Sequence, residues 1–278
     1  NNGGNGGDGA FTPTQINADR YYEPERTNGQ TVRQIVANLR GILNANAPSN
    51  TARIVYLAGD SWMDVSPFVD TANDKMQNKL PNTYDKFMPY LKPDIMYYLS
   101  KLFHDSTAGD ASSTQCVMAA QAGSTLRDRS VPGGPNNPAN DVAIRDTVTE
   151  HDRIVVHVSG NDLHQSILQQ VLLGKSRQAI ISGLLGGSLK REFIDAYRTL
   201  WRENFPRYLK FLTEKKKPKD IIVLSLPRTR AGYFRGHIAN AVGSTFLAST
   251  GTYIVNQFYL SLLREGFPVL TDTLNEIQ

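Results

Sequence analysis

The chain has 278 residues, of which 40% are hydrophobic and 20% charged, with a formal net charge of +4 and a pI near 9.1. This reads as a soluble globular protein with ample apolar material for a core, and the length fits one large domain better than two. No run of about 18 uninterrupted apolar residues occurs, which argues against a membrane span, and Cys116 is the single cysteine, which excludes an intrachain disulfide and a cysteine-based metal site.

Residues 1–30 open on Asn1-Asn2-Gly3-Gly4-Asn5-Gly6-Gly7 and stay polar. Such a stretch buries too little apolar area to offset chain entropy, so it reads as an arm or linker able to drape over the domain or a protein partner. The first residue is Asn and no charged-then-apolar leader follows, so either a leader has been removed or the chain is a piece of something longer. The remainder, 31–278, reads as one domain.

Val32, Ile35, Val36, Leu39, Ile42 and Leu43 recur at helical spacing. An apolar strand follows at 53–58. Residues 64–104 are partly helical, broken by Pro81, Pro89 and Pro93. Further strands are expected at 115–120, 153–158, 221–226 and 267–271, with helices over 163–213 and 250–264. Cys116 sits in the second strand as a buried small hydrophobe. The basic run Lys215-Lys216-Lys217-Pro218-Lys219 reads as a solvated loop before the fourth strand, the sharper alternative being an anionic-polymer or membrane-surface patch. No aromatic residue interleaves with these lysines, so nucleic acid is not an expected partner.

Unbroken apolar strands alternating with helices imply a parallel sheet covered on both faces, a flavodoxin-like α/β/α three-layer sandwich of five strands. In such sheets, sites form at the carboxyl ends of the strands. Three of those ends carry small polar motifs: Gly59-Asp60-Ser61-Trp62, then Gln121-Ala122-Gly123-Ser124, then Ser159-Gly160-Asn161-Asp162. A serine on a strand-to-helix turn exposes its hydroxyl. Acyl transfer also needs donors aimed at an oxyanion. The backbone N–H groups of Ser61 and Gly123 and the Asn161 amide are the candidate donors. Read blandly, Gly123 is only a turn, and Asn161-Asp162 only caps a helix starting at Leu163.

In their order and placement these blocks resemble the SGNH (GDSL-type) hydrolase superfamily across about residues 51–272, with 64–112 and 165–215 as helical insertions. The resemblance implies Ser61 as nucleophile, Ser61, Gly123 and Asn161 as the oxyanion hole, no metal or organic cofactor, and a glycan, lipid or other small-molecule ester as substrate. It also implies a late Asp-x-x-His supplying the base, and here the pattern departs. Asp272 is followed three residues later by Asn275, and no histidine lies beyond His237. Three explanations fit. Asn275 replaces the base, giving a pseudoenzyme that acts as a binding or structural subunit. The true block lies past residue 278. Or another histidine serves instead.

Of the five histidines, His157 reads as a satisfied strand residue, His151 lies at the wrong end of the sheet and His104 falls in a loop. His164 lies one helical turn beyond Asn161, and His237 follows the fourth strand's carboxyl end, which makes it the best placed substitute. Arg228, Arg230 and Arg235 could hold an anionic group or simply line a solvated loop. Trp62 could line an acyl pocket or pack into the core. No Gly-x-Gly-x-x-Gly or phosphate loop follows any strand, so nucleotide binding is not supported.

Overall fold

Four of the five apolar runs form strands: β1 (Arg53–Gly59), β2 (Thr114–Met118), β3 (Arg153–His157) and β4 (Asp220–Val223). The computed structural model describes residues 11–22, 29–46, 52–60, 63, 83–106, 113–130, 138–158, 161–162, 167–172 and 174–224. The fifth run, 267–271, and the helix expected over 250–264 lie outside these residues, as do Trp62 and the three arginines from Arg228 onward. The strands pair in parallel in the order β2-β1-β3-β4. β2 is buried throughout, and β1 and β3 are buried after their leading arginines, which is why they appear in the sequence as unbroken apolar runs.

The helices follow in chain order: α1 (Ala18–Tyr22), α2 (Gly29–Asn46), α3 (Ile95–Asp105), α4 (Leu126–Arg129) and α5 (Ala139–Thr147). After β3 come α6 (Leu168–Leu172), α7 (Arg177–Leu185) and α8 (Ser188–Thr199). A π-helical turn (Leu200–Asn204) then leads into α9 (Phe205–Leu212). The chain divides into two compact units, one of residues 1–124, 138–157 and 212–224, the other of 125–137, 158–211 and 225–278.

The first unit holds the sheet. α2 buries the six apolar residues whose spacing predicts it and packs against α5, while α3 packs against β2. Asp94 starts α3 by accepting the Tyr97 N–H at 2.9 Å, directly after the helix-breaking Pro93. His104, expected in a loop, lies in the last turn of α3. Beneath the sheet's amino-terminal edge, the fully buried Asp152 carboxylate accepts from the Ile54 N–H at 2.8 Å, the Thr149 N–H and hydroxyl at 2.7 and 2.9 Å, and Arg40 at 2.6 Å. The Asp152 carbonyl also accepts the Lys219 N–H at 2.7 Å, at the approach to β4. One acidic side chain thus joins α2, β1 and the entry to β3.

Residues 11–22, inside the stretch expected to be an arm, pack onto this unit. The Asn38 side chain accepts the Thr14 N–H at 2.9 Å and donates to the Thr14 carbonyl at 2.7 Å. The Ile16 N–H donates to the Phe87 carbonyl at 2.8 Å, and the Tyr21 hydroxyl to the Met118 carbonyl at 2.8 Å. Ile16, Tyr21 and Tyr22 are buried. The composition of the stretch alone counts its few apolar residues but not their distant partners, which is why residues 11–22 read as part of an arm. Residues 1–10 lie outside those described.

The lysine run is held by acids: Lys215 lies 2.8 Å from Asp146 and Lys216 3.5 Å from Glu150. Their side chains are more than half exposed, which favours the solvated-loop reading over an anion-binding patch. Burial pushes the Cys116 thiol up to about 12. Since the thiolate is the reactive form, Cys116 is expected to react with a disulfide reagent at pH 8 only after denaturation. Rapid titration of the native thiol would contradict its buried position.

Within the second unit, α8, the π turn and α9 run consecutively, in agreement with the helical pattern expected there. Trp201 is buried against Phe205, with ring centroids 4.7 Å apart, and Arg129 is buried with a 3.1 Å hydrogen bond to the Tyr208 hydroxyl. Among the described residues, no helix is long and apolar enough to cross a membrane.

Candidate active site

The strand order sets where a site can form. From β1 the chain leads to β2 on one side and then crosses back to β3 on the other, so β1 and β3 flank a topological switch, the place where parallel α/β sheets put their sites. The Gly59-Asp60 corner and His157 occupy those two ends, and Gly59 and His157 are register partners.

The corner is tied on both sides. Toward β2, the Gly59 carbonyl accepts the Gln121 N–H at 2.8 Å, extending the ladder past Met118. Toward β3, the Asp60 N–H donates to the His157 carbonyl at 3.2 Å. A Cβ on Gly59 would stand 2.2 Å from that same carbonyl oxygen, so only glycine permits the approach. The Asp60 carboxylate faces His157 Nδ1 at 3.4 Å, and the two side chains are 1% and 7% exposed. His157 is therefore a buried, partnered strand residue, as expected.

Beyond Gln121 the chain turns. The Ser124 hydroxyl donates to the Gln121 carbonyl at 2.6 Å, and Gly123 takes the left-handed conformation with φ of 76°. Nothing lies within 4 Å of where its Cβ would be, and no described residue accepts its N–H. Gly123 thus presents an exposed backbone donor in a sharp turn. An L side chain at this position would face backbone strain rather than a clash.

In the second unit, Thr125 caps α4 by accepting the Asp128 N–H at 3.1 Å. The other two N–H groups of that turn, on Leu126 and Arg127, donate to the buried Asp162 carboxylate at 2.6 and 3.0 Å. Asp162 thus caps α4, a helix 36 residues earlier, where the sequence suggests a cap for a helix at Leu163. Local spacing cannot reveal a cap supplied from so far along the chain. Asn161 is the helical residue just before this clasp and is half-buried.

Of the site residues expected from sequence, Gly123 lies in the first unit and Asn161 in the second. Ser61, Asp272 and His237 lie outside the described residues, as does His164. The pairing of Asp60 with His157 was not foreseen. Its only trace in the sequence is that both residues stand at strand ends, which become neighbours once the strand order is known. Among the described residues, no group of three or more His, Cys, Asp or Glu side chains could hold a metal ion. Comparison with protein-family models, with curated proteins and with solved structures returns no match.

Proposed function

We propose that this chain is a serine ester hydrolase of the SGNH type, with its four parallel strands belonging to a five-stranded, flavodoxin-like three-layer sandwich. The observation that carries the reading is the hydrogen-bonded row Gln121–Gly59–Asp60–His157 across three strand ends, with the Gly123 turn two residues beyond Gln121. It sets the residue before Ser61 at the switch point of the sheet, where α/β enzymes place their chemistry.

In this reading the Ser61 hydroxyl attacks an ester carbonyl as a histidine takes its proton. The backbone N–H groups of Ser61 and Gly123 and the Asn161 amide stabilise the oxyanion. The proton passes to the departing alcohol, leaving an acyl-serine that water cleaves to free acid and serine. The substrate is an acyl or acetyl ester of a glycan, a lipid or another small molecule, and the chemistry needs no metal or organic cofactor.

The test is covalent labelling. A fluorophosphonate should modify the protein once, on the peptide containing Ser61, and an acyl ester should protect against it. Folded protein that stays unlabelled but co-purifies with a partner would instead favour a pseudoenzyme serving as a binding or structural subunit.

A further inference from the structure

Two contacts tie Asp60 to β3, and both are made by His157. Its carbonyl accepts the Asp60 N–H at 3.2 Å, and the same carbonyl leaves no room for a Cβ on Gly59. Its ring Nδ1 faces Asp60 Oδ1 at 3.4 Å inside the protein, with 5% exposure for His157 and 1% for Asp60. A hydrogen bond from the ring to a carboxylate oxygen, which only accepts, requires the Nδ1–H tautomer. Burying either group alone would be costly, which makes the two mutually dependent.

We propose that His157 is a positioning residue for Ser61, acting through Asp60. The proposal rests on Ser61 being the nucleophile. The physical reason is covalent adjacency: the Gly59 carbonyl is held by Gln121, and the Asp60 N–H and carboxylate are both held by His157. The peptide leading into Ser61 therefore starts from a frame anchored on two neighbouring strands. Attack on a carbonyl is sensitive to placement, and an error of about 1 Å in a reacting group costs on the order of 10²-fold in rate. A ring that merely filled space would not need its Nδ1 turned toward Asp60.

Two isosteric amides separate the possible roles, because asparagine offers its N–H₂ near the Nδ1 position and glutamine offers its own near Nε2. In the full chain, H157N, H157Q and H157L are compared by rate of fluorophosphonate labelling at Ser61, by thermal midpoint and by imidazole ¹H–¹⁵N spectra. H157Q and H157L should label about 10²-fold more slowly than wild type, and H157N should recover to within about tenfold. Each rate is read well below that variant's midpoint, which should fall furthest for H157L because it leaves Asp60 buried without its donor. Wild type should show the Nδ1–H tautomer, which D60A should lose. Folded H157L labelled at the wild-type rate overturns the proposal, and so does rescue by H157Q but not H157N, which would assign a role to Nε2. If H157L does not fold, the two amide variants carry the comparison. Unlabelled, folded wild type removes the hydrolase reading and, with it, this role for His157. An Nε2–H tautomer in wild type overturns the Asp60–His157 pairing while leaving the hydrolase reading intact.

Discussion

Replacing Ser61 with alanine should lower kcat/KM for a p-nitrophenyl acyl ester by about 10⁴-fold or more, with the thermal midpoint unchanged. In the proposed mechanism alanine removes the atom that forms the acyl-enzyme and keeps the oxyanion donors. Asn161→Ala should cost about 10²–10³-fold, mostly in kcat, because the amide acts on charge that develops only in the transition state. The two losses should not add, since the donor has no serine-derived tetrahedral oxyanion to stabilise once the nucleophile is gone. Steady-state kinetics on the two single variants and the double variant decide the matter. Undiminished hydrolysis by Ser61→Ala would remove Ser61 from the mechanism.

Asp152→Ala should destabilise the protein by about 3–5 kcal/mol, the scale for breaking a buried ion pair by removing one partner. The Asp152 carboxylate is fully buried and receives four hydrogen bonds, from Ile54, Arg40 and both donors of Thr149. Alanine would strand the Ile54 and Thr149 N–H groups and leave the Arg40 guanidinium, 22% exposed, without its carboxylate. Each neutral donor so stranded costs roughly 1–3 kcal/mol where water cannot reach it, and part of that cost is relieved where it can. Asp152→Asn keeps the shape and one acceptor oxygen and should lose less. Denaturant unfolding of both variants checks this, and a loss under about 1 kcal/mol for the alanine variant would show that water replaces the carboxylate.

Three strands of the sheet were legible because they are covered. Residues 54–58, 115–118 and 154–156 are buried on both faces, so the chain writes them as unbroken apolar runs. α2 was legible for the complementary reason: one face is buried, and Val32, Ile35, Val36 and Leu39 mark it. The candidate site was legible only as small motifs at or a few residues past strand ends, through Gly59, Gly123 and Asn161.

What stayed hidden depends on contacts between residues far apart in the chain. The arm reads as loose because its composition is polar, yet Thr14 is gripped by Asn38, 24 residues away, and Tyr21 by Met118, 97 residues away. Asp162 reads in sequence only as a local helix cap, and its carboxylate closes α4, 36 residues earlier. Asp60 and His157 lie 97 residues apart and meet because β1 and β3 are neighbours in the sheet.

The sequence by itself determined that parallel strands would alternate with helices, and that Gly-Asp-Ser would follow the first of them. Those properties depend on side-chain size, polarity and backbone freedom at successive positions. Only the tertiary structure decided that Asp60 answers to His157 and that the Gly59 carbonyl is tied to Gln121. Hydrogen-bond partners across a sheet follow from strand order and register, which no local stretch of the chain encodes.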